Sequence, residues 1–159
     1  MRLAVERKPE SQCAEELLSF SPVASGSAGT FDTNSFMLTL TGVLSGSGNM
    51  IKTGAGTLVL DGTASYTGDT FVNGGTLQGT TTSLQGNIVN NATVVFDQAA
   101  TGTYAGNMSG NGGLTKNGDG ALILSGDNSG FGGTTTVGAG LLQIGDGTGG
   151  AAMTGNIVN

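Results

Sequence analysis

Few residues in this chain could do acid–base or metal chemistry, and their spacing limits what they could do. Beyond residue 20 the charged side chains are seven aspartates and two lysines, Lys52 and Lys116. Asp61 with Asp69, and Asp119 with Asp127, offer the residue type glycoside hydrolysis uses, two carboxylates held about 5–10 Å apart. Every one of these aspartates adjoins glycine, where turn formation is the plainer role. A lyase site would want a cationic base, but the last arginine is Arg7 and the chain has no histidine. That same lack rules out a Ser-His-Asp constellation despite the many hydroxyls. The run NGGLTKNGDG (111–120) looks superficially like a calcium loop. The G-G-x-G-x-D pattern, however, works in tandem about every nine residues, and EF-hand spacing is absent. GTGG (147–150) lacks the Gly-Lys-Ser/Thr ending of a phosphate-binding loop. The threonine runs 80–82 and 134–136 lack the regular T-x-T of an ice-binding ladder. Asn91 and Asn107 head glycosylation sequons, a three-residue pattern that coincidence readily supplies. The expectation is therefore no catalytic, cofactor-binding or metal-binding residue, and a protein that is not an enzyme.

What must position these residues is a glycine-rich chain. Of 159 residues 31 are glycine, all after residue 25, while charged residues make up 10% and hydrophobic ones 36%. Such glycine content suits a disordered chain, but the apolar residues fall in short alternating runs bounded by Gly, Asn and Asp, which is strand punctuation. The net charge of −6 and the absence of any basic cluster exclude nucleic acid and anionic membrane surfaces as partners. Cys13 stands alone, so neither an internal disulfide nor a thiolate metal cluster can form. No stretch reaches the roughly 18 apolar residues of a membrane span.

Residues 1–20 differ from the rest: they hold seven of the sixteen charges and no glycine. Four glutamates and the lack of an apolar core separate this segment from a signal peptide. Glu15–Leu18 predict at most a short helical turn, and the segment reads as a disordered stretch, a cap or a misassigned start.

From Ser21 on, one unit occurs twice. Ser45, Gly46, Gly48, Lys52, Gly54, Gly56, Leu58, Leu60 and Gly62 return 64 positions later as Ser109, Gly110, Gly112, Lys116, Gly118, Gly120, Leu122, Leu124 and Gly126. After one inserted residue, Gly68, Thr70, Val72, Gly75, Leu77 and Gln78 return as Gly133, Thr135, Val137, Gly140, Leu142 and Gln143. Units recurring in register stack to bury a shared core. Strands are predicted at 37–41, 57–60, 70–72, 76–78, 87–89, 93–96, 120–124, 134–137 and 141–144. Alternation turns Leu58, Leu60, Leu122 and Leu124 inward and Val59 and Ile123 outward. With turns of roughly 20–22 residues the period spans about three turns. The whole region then gives six or seven rungs and a rod on the order of 30 Å long. Asn73, Asn90, Asn91 and Asn107 are candidates for stacked turn asparagines.

The stretches MIKTGAGTLVLDGTASYTGDTFVNGGTLQ (50–78) and LTKNGDGALILSGDNSGFGGTTTVGAGLLQ (114–143) resemble the autotransporter-associated β-strand repeat, also called the passenger-associated transport repeat, of type V secreted proteins. The resemblance extends over roughly residues 23–159. It implies an all-β fold, a right-handed parallel β-helix of the pectin-lyase-like kind. It also implies a non-catalytic passenger segment that supports secretion and folding and is displayed at the cell surface or secreted. Implied partners are the remainder of a longer passenger and an outer-membrane β-barrel translocator. An adhesin that binds a host surface or carbohydrate is the alternative, and a β-helix polysaccharide-degrading enzyme a distant second. A signal peptide and a barrel are not visible in this sequence, and the closing GNIVN (155–159) repeats residues 86–90. The expectation is a fragment of a passenger.

Overall fold

A computed structural model describes residues 2–4, 28–147 and 151–159. Cys13, Glu15–Leu18 and the rest of the expected atypical segment lie outside the described residues, except for the backbone of 2–4. Strands β1 to β18 follow one another in chain order, and among the described residues there is no helix. All pairing is parallel, with strands stacked as a β-solenoid of about six turns.

Three faces make up a regular turn. The first stacks β1 (Arg2–Ala4), β2 (Gly29–Asp32), β5 (Met50–Thr53), β8 (Thr70–Val72), β10 (Ile88–Asn90) and β13 (Met108–Ser109). The second stacks β3 (Met37–Leu40), β6 (Thr57–Leu60), β9 (Thr76–Gly79), β11 (Thr93–Asp97), β14 (Gly113–Asn117), β16 (Thr135–Val137) and β18 (Ile157–Val158). The third is split into β4 (Leu44–Gly46) with β7 (Ala64–Tyr66), and β12 (Gly102–Tyr104) with β15 (Ala121–Leu124) and β17 (Leu141–Ile144).

Alternation sets the core. Leu58, Leu60, Leu122 and Leu124 point inward and are buried, as the sequence predicts, while Val59 and Ile123 are only partly covered. Identical positions stack rung on rung: Leu38, Leu58, Leu77, Val94 and Leu114 form one interior column. Each such side chain contributes roughly 1.5–3 kcal/mol by leaving water. The predicted strands 37–41, 57–60, 70–72, 76–78, 87–89, 93–96, 120–124, 134–137 and 141–144 all coincide with observed ones, apart from small shifts at their ends. The third-face strands LSG, ASY and GTY were not foreseen, because small and polar residues give them no apolar alternation.

The repeat does not close on the face where it began. Three turns from Met50 end at Met108, through Thr70 and Ile88, whereas the repeat returns Met50 as Leu114 on the second face. The sequence period therefore overshoots by one strand and one corner. Lys52 lies on the first face and Lys116 on the second; Leu58 lies on the second and Leu122 on the third. The two copies are related by three turns plus one face, where the sequence suggested about three turns.

Candidate functional site

The charged residues that recur between the two motifs are lysines, and both are inside. On β5 the inward positions are Met50 and Lys52, and on β14 they are Leu114 and Lys116; both lysines have 0% relative exposure. Lys52 is in register with Phe31 on the preceding rung and Val72 on the next. Lys116 is in register with Phe96 and Val137. The same Phe-Lys-Val column is thus built on two different faces.

A buried ammonium needs acceptors for its protons. The Lys52 Nζ donates to the carbonyls of Thr53 (2.8 Å) and Gly54 (2.9 Å) at its own corner and of Gly74 (2.9 Å) on the next rung. The Lys116 Nζ donates to Asn117 (2.7 Å), Gly118 (2.7 Å) and, on the next rung, Ala139 (3.2 Å). Each lysine thereby joins two successive corners from within. Burial pushes the Lys52 ammonium down to about 8, an effect partly offset by the nearby Asp32 carboxylate. Burial likewise lowers Lys116, against Asp97 and Asp119.

The glycines of the motif K-x-G-x-G follow from this corner. Gly54 and Gly118 sit at φ 78° and 77°, a left-handed turn that frees their carbonyls for the ammonium. Gly56 and Gly120 are needed for a different reason: a Cβ there would run into the backbone of Phe36 or Ala100 on the rung before. The run 111–120 is therefore a lysine corner, and the carbonyls of Asn117 and Gly118 that a cation would want are already taken by Lys116.

A second motif runs outside along the corner before the first face. Asn49 Oδ1 accepts from the Asp69 amide (3.0 Å), Asp69 Oδ1 from the Asn87 amide (3.2 Å), Asn87 Oδ1 from the Asn107 amide (3.0 Å), and Asn107 Oδ1 from the Asp127 amide (2.9 Å). Of the candidate stacked asparagines, Asn107 belongs to this ladder. Asn73 and Asn91 stack at another corner, where Asn91 Nδ2 donates to Asn73 Oδ1 at 3.5 Å. Asn90 is a correction: it lies inside, fully buried in register with Val72, where it donates to Gly113 O and accepts from the Ala92 amide.

The candidate carboxylates are dispersed. Asp61 and Asp69 occupy different corners with β7 between them, and Asp119 and Asp127 have β15 between them. Asp69 and Asp127 are ladder members, and hydrogen bonds from the Ser129 backbone and side chain lower the Asp127 carboxyl. Thr80–Thr82 form a turn, and of 134–136 the middle threonine, Thr135, is buried. Among the described residues no group of three His, Cys, Asp or Glu side chains is placed to hold a metal.

The regular stack has one flaw. On the second face the rung from Thr76 to Thr93 is shorter than the one before it, from Thr57 to Thr76, and the one after it, from Thr93 to Gly113. The short rung has no third-face strand. Instead 80–84 curl into a turn in which Leu84 N and Ser83 N both donate to Thr80 O, and Leu84 fills the core. Outside that turn lies a cleft of about 360 Å³ lined by Thr67, Asp69, Thr81, Gln85, Asn87 and Thr103.

Sequence reasoning gave Lys52 and Lys116 no role. The signal was available. Each lysine alternates with inward apolar residues, and the dyad Phe31-Asp32, one rung before Lys52, returns as Phe96-Asp97 one rung before Lys116, which extends the repeat upstream.

A family profile described as the passenger-associated-transport repeat matches residues 50–78 and again residues 114–144. The Adhesin BmaC autotransporter of Brucella suis biovar 1 (strain 1330) is 54% identical over 54 residues, which cover 31% of this chain and 2% of that protein. The chain thus spans a very small part of that relative's length. No solved structure matches it. Both matched stretches begin on the strand of a buried lysine and run through the corners that lysine joins, so the geometry and the likeness pick out the same residues: this β-solenoid is built around two passenger-associated-transport repeats, the repeat of autotransporter passengers.

Proposed function

We propose that this chain is a structural, non-catalytic length of an autotransporter passenger, whose stacked rungs support folding during export and hold the passenger at the cell surface. The observation that carries this reading is what the recurring lysines and glycines do. Lys52, Gly54, Lys116 and Gly118 bond one rung to the next from inside and present no chemistry to solvent. A chain that arrives unfolded can gain this burial one rung at a time, because each new rung pairs only with its neighbour. The partners in this reading are the rest of the passenger and an outer-membrane β-barrel translocator.

The test uses native cells and an antibody against residues 45–143. A large surface species that protease removes from intact cells is expected. Replacing both lysines by methionine should reduce that species and leave unfolded passenger inside the outer membrane. A band near 15.6 kDa confined to the cytosol would overturn the proposal. A second reading, adhesion, is favoured by the name of the Brucella relative. It predicts that deleting the segment abolishes attachment to host cells while secretion continues.

A further inference from the structure

We infer that the cleft beside the short rung is a binding subsite for one or two rings of a neutral saccharide. The cleft exists because the rung between Thr76 and Thr93 is too short to lay a third-face strand, so β7 and β12 are separated by a turn. That turn is held on both sides. The Ala64 amide donates to Thr82 O on one side, and on the other Gln98 Oε1 accepts from the Thr81 amide at 3.1 Å while Gln98 Nε2 donates to Thr81 Oγ1 at 3.1 Å. The hollow is therefore part of the folded frame and needs no opening. Its volume of about 360 Å³ lies at the lower end of ligand-binding clefts.

Its lining has the chemistry of sugar recognition. A sugar hydroxyl donates and accepts at once, so it is best met by carboxylates, carboxamides and hydroxyls together. The cleft supplies the Asp69 carboxylate and the Thr67 and Thr103 hydroxyls, beside the Gln85 and Asn87 carboxamides and the Thr81 hydroxyl, which internal hydrogen bonds hold in place. Leu84 and Tyr104 give it an apolar floor. Asp69 is fixed in place, since its Oδ1 accepts from both the backbone and the side chain of Asn87, at 3.2 and 3.1 Å. Both of these bonds fall on one oxygen, which leaves Oδ2 to meet a ligand hydroxyl. Polar groups already held in position lose little freedom when a ligand arrives. Electrostatics decide the class. Both lysines beyond residue 20 are buried, and the only charge lining the cleft is negative, so an acidic saccharide or a phosphate would be repelled.

Saturation-transfer difference NMR on the 159-residue chain tests this with maltose, lactose and diacetylchitobiose as neutral probes, and sialyllactose and a heparin tetrasaccharide as acidic ones. At least one neutral disaccharide is expected to show transfer. Thr103→Arg, which fills the cleft from an exposed position, should cut that signal at least tenfold, while Thr115→Arg on the second face should leave it unchanged. Should Thr103→Arg lose its β-sheet circular dichroism, Asp69→Asn decides, because asparagine keeps the ladder bond; a Kd raised at least tenfold is expected. No transfer to any neutral probe would overturn the inference. So would transfer to the acidic probes alone, or a signal equal in wild type and Thr103→Arg. Secretion does not enter these measurements, so the scaffold reading stands or falls separately.

Discussion

At the scale of the residue, two lysines carry the specificity of the fold. Lys52 occupies an interior position that leucine or valine would ordinarily fill, and three carbonyls make it tolerable there. Lys52→Met would keep the volume but leave the Gly54 and Gly74 carbonyls without a donor, while Thr53 O keeps the Thr33 amide. Each buried carbonyl so orphaned costs roughly 1–3 kcal/mol, and a total loss of about 3 kcal/mol is expected in urea denaturation. Lys116→Met should cost a similar amount, and the two should add, because three rungs separate them. The same burial makes stability depend on pH. The unfolded lysine ionises near 10.5 and the native one near 8, so between these values the unfolded chain holds the extra proton. Stability is therefore expected to rise from pH 8 towards pH 10. Tyr66 and Tyr104 act in the opposite sense. Burial raises both above the ordinary 10, so above that pH the unfolded chain loses protons the native one keeps, and stability falls. Denaturation midpoints measured from pH 7 to 11 should pass through a maximum near pH 10; a flat profile would show that the lysines are hydrated.

At the scale of the element, corners matter more than strands. A strand of three or four residues is too short to be stable alone, and it is fixed by how closely the neighbouring rung's corner approaches. Gly112 and Gly113 separate these effects because they are adjacent. A Cβ on Gly112 would meet Ala92 N at 2.6 Å and Asn90 Oδ1 at 2.5 Å, whereas a Cβ on Gly113 meets nothing within 4 Å. Gly112→Ala is expected to destabilise by about 2 kcal/mol or more, since backbone on the previous rung must shift. Gly113→Ala should be neutral or stabilise by about 0.4–1 kcal/mol, through the lower entropy of the unfolded chain. Thermal melts of the two variants side by side check the sign of each. Alternation in TLVL and ALIL made those elements legible in the sequence; the third-face strands LSG, ASY and GTY were not legible, because each buries a single large side chain and shows no apolar alternation.

At the scale of the whole molecule, stability is nearly one-dimensional, since each rung touches only its neighbours. Removing residues 88–107 takes out one full turn and joins Asn87 to Met108, the residue in register with Ile88, whose place it then takes. The shortened chain is expected to keep its β-sheet signal with a lower melting temperature. Removing 88–97 alone should unfold it, because every later strand would land on the wrong face. The same logic accounts for the turned repeat. Rungs on the second face differ in length, shortest from Thr76 to Thr93 and longer from Thr135 to Ile157. A fixed sequence period therefore does not fall on a whole number of turns, and the second lysine corner comes one face round from the first.

The sequence by itself determined the parts that depend on local pattern. Leucines at spacing two went inside, glycines marked corners, and a motif recurring in register announced a stacked fold and its kinship. It named Lys52 and Lys116 as recurring without giving the reason. Only the tertiary structure decided that these lysines are interior, because their acceptors Gly74 and Ala139 lie 22 and 23 residues away and become neighbours only when rungs stack. The same holds for the ladder from Asn49 to Asp127 and for the cleft at Asp69. Both depend on how many residues each turn takes, a length set by packing against the turns on either side.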